Sequence, residues 1–483
     1  MTRGLPFTFG FAIVSIVSLL VPTCVDATTL HIGASSRSIT PDQPVALDGQ
    51  MRTRIARTVE TEVQANALAM ESRDGDAVVE QALFVACGLV AVGDDIYQGV
   101  QEILTQRIPD FDVSKLILSA THTHTGPVVR DGIYEITDED VIQPRDYKKF
   151  LVVRVADAAE AAWTSRKVAK AGWGMAHAVV AYNRRSYFDD GHAQMYGDIS
   201  IDSFRGIEGP EDHAIEVLYF WGEDDALIAT AVNVVCPSQE VEGRSAINAD
   251  FWHPVREGLK AKYGKDLVVL GWTGAAGDQS PHIRYRKAAE DRMRGFRGLE
   301  RLDEIARRII VAWEEAYEGA QQDKRDDLPL VHQIVPIELP RRMVTEAEYE
   351  ENKVEIERLK QTPGNFRGVE WRGAVLKRYE AQQAGTVEPF MMDLHTLRLG
   401  DVAITANPFE LYTQFGIQMK AKSPALQTFV IQLAGPGSYV PTPHAAEGGG
   451  YSAIAPSNEV GHEGGQKLVD ETVKAVKALW EEK

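Results

Sequence analysis

Thr121-His122-Thr123-His124-Thr125-Gly126-Pro127 closes the apolar run Lys115–Ala120 with two imidazoles two residues apart. On an extended backbone alternate residues point the same way, so His122 and His124 share a face at a strand end. Such a pair, flanked by hydroxyls and stopped by Gly-Pro, suits metal ligation or acid–base work. It equally suits two rings that only hydrogen-bond a loop.

Four more apolar runs end in polar groups. Leu227–Val235 leads to Cys236-Pro237-Ser238-Gln239, and Asp266–Trp272 to Gly277-Asp278-Gln279-Ser280-Pro281-His282. Asp401–Ala406 leads to Asn407-Pro408-Phe409-Glu410. Ile431-Gln432-Leu433 leads to Gly435-Pro436-Gly437-Ser438-Tyr439, with Tyr451 in a glycine-rich loop beyond. In α/β proteins binding crevices gather at strand ends, so these groups are candidates to converge.

The elements that must position them read as an α/β protein: mixed β-sheets flanked by helices, with the active site at strand ends. Ala82–Val92, Ala214–Leu218 and the runs above read as buried strands. Leu299, Leu302, Ile305, Ala306, Ile309 and Trp313 share one helical face, as do Val469, Val473, Val476 and Trp480 within Lys467–Trp480. Residues 341–386 stand apart as a charged helical excursion. It opens on a capping box, Thr345 with Glu348, and breaks at Pro363-Gly364. It is either a solvated insertion or a cover over the site.

Composition narrows the function. Residues 1–27 read as a secretory signal peptide, with Arg3 before the apolar run Phe9–Val21 and small residues Val25 and Ala27 before a cleavage point. A secreted or periplasmic protein is expected, without a membrane span once the signal is removed, and residues 28–483 form the catalytic part. Of three cysteines, Cys87 and Cys236 lie beyond the signal, so no disulfide framework is expected; Cys87 reads as a core residue. A net charge of −19 with no basic tract argues against nucleic-acid binding. Small-molecule or lipid substrates remain.

Taken in order, these motifs resemble the catalytic domain of the neutral, non-lysosomal ceramidases over roughly residues 30–460. Gly33 with Ile39-Thr40-Pro41 is similar to the family's opening. His122-Thr123-His124 matches its THTHSG signature, with Thr125 in place of Ser. Asn183-Arg184-Arg185-Ser186 resembles its Asn/Arg-Ser motif, and Gly277–Pro281 its GDVSP segment. Glu410 matches the Glu of its PGE turn, and Tyr439 and Tyr451 its paired tyrosines.

The resemblance implies zinc-dependent hydrolysis of an N-acyl bond, with Zn2+ held by two His, a Glu and a Tyr. Carried over, these are His122, Glu410 and Tyr439, with Cys236 where the second His stands. A thiolate is also a good zinc ligand; His282 and His444 are substitutes. His124 then acts as general base and acid, Arg185 or else Arg184 acts with Tyr451 on the oxyanion, and Ser280 positions substrate or attacks it. Asp278 orients a neighbour or caps its own turn. The family carries a further β-sandwich domain that this sequence lacks, and Cys236 departs from its pattern. Ceramide, another N-acylated molecule, a glycan cleaved by a carbohydrate-active hydrolase or lyase, or a binding protein with a degenerate site are the readings to separate.

Overall fold

A computed structural model describes Met1 and residues 28–361 and 363–481; the expected signal peptide lies outside the described residues. Two mixed sheets form its centre. The larger has eight strands: β1 (Thr29–Ser38), β2 (Gln64–Asp74), β3 (Ala77–Cys87), β4 (Leu116–Ala120), β5 (Lys167–His177), β6 (Ala214–Gly222), β7 (Leu227–Val234) and β8 (Val268–Thr273). Their spatial order is β8-β7-β6-β5-β1-β2-β3-β4. All neighbours are antiparallel except the outer pairs β7/β8 and β3/β4, which are parallel. The smaller sheet orders β9 (Leu330–Leu339), β10 (Phe390–Leu399), β11 (Val402–Ala406) and β12 (Gln427–Ile431) in sequence, again ending in a parallel pair.

Period-two patterning explains the layers. In β3, Ala82, Phe84 and Ala86 face one way and Leu83, Val85 and Cys87 the other. The first set joins Leu30, Ile32, Met70, Phe220 and Trp272 against Leu397, Leu399, Ile404 and Phe429, which fills the space between the two sheets. The second set packs under helices α1 (Asp94–Arg107) and α2 (Pro144–Thr164). At the other end of the large sheet, α3 (Trp252–Tyr263), α4 (Lys287–Arg297) and α5 (Arg301–Ala320) follow one another, and Trp252, Ile305, Ile309 and Trp313 cover Val217, Val232 and Val234.

The charged excursion is a helix pair, α6 (Glu346–Lys360) and α7 (Phe366–Gln383), opened by the capping box at Thr345 and Glu348. Helices α8 (Thr413–Lys422), α9 (Pro443–Gly448) and α10 (His462–Ala478) complete the chain, and α8 and α10 cover the outer face of the small sheet. The layering is helix, sheet, sheet, helix. Strand β3 begins five residues before its apolar run, because Ala77, Val78 and Val79 extend it in exposed positions and Glu80 and Gln81 interrupt the apolar pattern. Helix α10 likewise begins before the apolar pattern, at residues where Gly464 and Gly465 pack without side chains. Among the described residues, no helix is long and apolar enough to cross a membrane.

Candidate active site

Strand β4 delivers His122 at its end, in the left-handed region of the backbone with φ 65°. A non-glycine residue there stores strain, of the kind that collects at functional sites. Its Nδ1 lies 2.8 Å from the Val90 carbonyl, which can only accept, so Nδ1 carries the hydrogen. Nε2 then faces the Glu410 carboxylate, 3.2 Å from Oε2. A lone pair and an anion at that separation need a proton or another cation between them. Burial pushes the His122 pKa down, but the Glu410 carboxylate outweighs it and the net shift is upward. For Glu410, burial pushes up and His122 pulls down, and the net shift is downward.

Glu410 and Tyr439 are aligned partners in a short parallel ladder, Glu410–Leu411 against Tyr439–Val440. That ladder sits hard against the Gly277 turn: a Cβ at Gly277 would lie 2.3 Å from the Glu410 carbonyl oxygen. Tyr439 is buried, which with the adjacent Glu410 charge raises its phenol well above the usual range. Arg184 donates to the Tyr439 hydroxyl at 3.1 Å and to the Gly277 carbonyl at 2.9 Å. Tyr451 meets Tyr439 edge-on, with ring centres 5.7 Å apart.

His124 stands beside this group. Its Nε2 is 3.3 Å from His122 Nε2 and 2.7 Å from the Gln239 amide, while Nδ1 lies 3.1 Å from Glu242 Oε2. Burial holds its pKa below the ordinary histidine value. Gly49, at φ +96°, lets the backbone pass over the ring, since a Cβ there would come within 2.3 Å of His124 Cγ.

The chain superimposes on solved structures of known proteins. The neutral ceramidase from Pseudomonas aeruginosa aligns with a TM-score of 0.67 at 15% identity, over 94% of this chain and 75% of that one. A ceramidase complexed with C2 aligns with a TM-score of 0.64 at 14% identity and the same coverage. This is the neutral-ceramidase fold. No protein-family model and no curated protein sequence matches the chain.

Within the neutral-ceramidase fold, the strand ends bring together His122, His124, Glu410, Tyr439 and Tyr451, but not Cys236. Residues Val232, Val234 and Cys236 form one period-two face, and that face packs beneath α3 and α5. The thiol is fully buried there, with the Val180 and Pro237 carbonyls as its polar neighbours. The residue that reaches the site from this strand end is Gln239. His444 is exposed on α9, and His282 approaches Glu242 at 3.7 Å rather than His122.

The two arginines exchange places relative to the sequence reading. Arg185 is fully buried, ion-paired with Glu208, and donates to the carbonyls of Tyr451 at 2.9 Å and Gly449 at 2.6 Å. It clamps the glycine-rich loop, and Arg184 faces the cluster. Ser280 accepts from the Tyr196 hydroxyl at 2.9 Å, beside His282. Asp278 accepts from the Thr413 backbone and hydroxyl at the start of α8 and from Asn183 Nδ2, so it ties elements together instead of capping its own turn. Glu242, Gln239 and Tyr196 carried no sequence signal beyond lying close after polar strand ends or motifs.

Helix α7 lies against the site. The Trp371 ring is 5.8 Å from that of Tyr451, and the Arg367 guanidinium is 5.2 Å from the Tyr134 ring centre. Asp48 pairs with Arg130 at 3.0 Å; burial would raise its pKa, but Arg130 and Arg367 together hold it at about 2.

Among the described residues no group of three or more His, Cys, Asp and Glu side chains is set to hold a metal ion. The Tyr439 oxygen is a further donor beside the pair of His122 and Glu410. His122 Nε2, a Glu410 oxygen and that phenol fit a divalent ion, because nitrogen and carboxylate face each other at 3.2 Å and a metal can take the place of the proton between them.

Proposed function

We propose that the protein hydrolyses an N-acyl (amide) bond with the help of a zinc ion held by His122, Glu410 and Tyr439. The observation that carries this reading is His122 Nε2 facing the Glu410 carboxylate at 3.2 Å, with the Tyr439 phenol aligned beside that carboxylate. Three protein donors are the usual complement of a catalytic zinc site, which keeps a further position open. When bound, the metal polarises the acyl carbonyl and lowers the pKa of water into the neutral range.

The chain's own residues do the rest. His124, its Nδ1 against Glu242, presents Nε2 as the accepting nitrogen, which exchanges the Gln239 amide hydrogen bond for a proton from water and later returns that proton to the leaving amine. Arg184 and the Tyr451 hydroxyl stabilise charge on the carbonyl oxygen as it develops. Arg185 holds the loop that carries Tyr451, and Tyr196 orients Ser280 toward substrate. Cys236 has no part in this set.

Metal analysis with activity on a panel of fluorogenic N-acyl substrates tests the proposal. His122→Ala and Glu410→Ala each lose the zinc and the activity. Full zinc and full activity in both variants would overturn the assignment. Cleavage of glycans in place of amides would move the site to carbohydrate chemistry.

A further inference from the structure

Arg367 and Trp371 are one helical turn apart on α7, so both side chains approach the site from the same face. Trp371 packs on Tyr451, and Arg367 lies over Tyr134 beside Asp48. Asp48 already pairs with Arg130. Among the described residues no carboxylate forms an ion pair with Arg367, which is only half-buried. Arg130 and Arg184 also reach the site, but the first is engaged by Asp48 and the second by Tyr439 and the Gly277 carbonyl. In a chain of net charge −19, a guanidinium without an ion-pair partner beside the site is a place where an anion can be held.

We propose that α7 selects the amine side of the substrate, and that the selected group carries a carboxylate, as in an N-acylated amino acid. The proposal rests on the amide-hydrolase reading and gives it a substrate class. The Arg367 fork binds the carboxylate, and the Trp371–Tyr451 pair forms the apolar wall beside it. An uncharged lipid amide leaves that fork unused.

Calorimetric binding of N-octanoylglycine and N-octanoylethanolamine tests it, since the two share an acyl chain and differ in charge. The wild-type protein prefers the glycine conjugate by about tenfold, the worth of one charge-assisted hydrogen bond. Arg367→Ala removes the preference, and Arg367→Lys retains part of it. Equal binding of the two compounds, no binding of the glycine conjugate, or an unchanged preference in Arg367→Ala overturns the proposal. Retained binding of N-octanoylethanolamine by Arg367→Ala shows that its site is folded, so that the lost preference is not a folding defect. A preference found in a protein that cleaves neither compound upholds the head-group assignment and removes the hydrolase reading.

Discussion

His124 and His122 divide the labour of one motif. His122 is locked by the Val90 carbonyl and turned to Glu410, whereas His124 is held by Glu242 and Gln239. His124→Ala is accordingly expected to keep its zinc and to lose about a hundredfold or more in turnover. Metal content and kcat measured on the same preparation check this, and loss of the metal would make His124 a ligand. For Cys236 the expectation is the opposite of a ligand's. Burial raises its thiol well above the ordinary range, so it stays inert to alkylating reagents before and after a chelator is added. Cys236→Ala keeps its zinc and costs about 1 kcal/mol of stability. The resemblance made this residue look functional, because Cys236 stands where the family has its second His. The alternation Val232, Val234, Cys236 is the signal that assigns it to the core.

Elements decide which residues can meet. His122, Glu410 and Tyr439 were legible because each ends an apolar run, and strand ends are where side chains leave a packed layer. The arginine pair was not. Two adjacent residues point to opposite sides of a short extended segment, and sequence alone does not say which side faces the site. The space around a glycine was equally hidden. Gly49→Ala would drive a methyl group into the His124 ring and is expected to cut turnover on the order of a hundredfold through displacement of that ring. A control activity loss without a change in metal content distinguishes this from collapse of the site.

Strands β9 and β10 carry their own titration, since His332 and His395 meet across them at 3.0 Å. Burial, against the pull of Asp393, lowers His395 to about 4, and burial, His395 and Lys115 lower His332 well below the ordinary histidine value. Both rings are neutral in the folded protein, while in the unfolded chain they titrate near ~6.5. The unfolded state therefore binds more protons between those values, and stability falls as pH drops from about 6.5 toward 4. His395 alone contributes about 3 kcal/mol to that slope. Urea unfolding across this range shows a shallower slope in His395→Gln. An identical slope in the variant would place the acid sensitivity elsewhere.

At the scale of the whole molecule, the two-sheet core was readable and the cover was not. Long apolar strands such as β3 announce buried sheets, and the apolar face of α5 announces the helix that covers one of them. Helices α6 and α7 are so charged that nothing in their pattern distinguishes a solvated insertion from one that seats Trp371 on Tyr451. One buried side chain draws the remaining parts together. Arg54 donates to the backbone carbonyls of Asp48, His124, Glu242 and Arg244, at 2.5 to 2.7 Å. Three segments distant in sequence are thereby tied at a single guanidinium, with no carboxylate taking part. None of them can open without breaking bonds to the same group, so they belong to one cooperative unit. Amide hydrogen exchange over residues 48–54, 124–127 and 242–248 should then report a common opening free energy. In Arg54→Met the three segments exchange at separate rates.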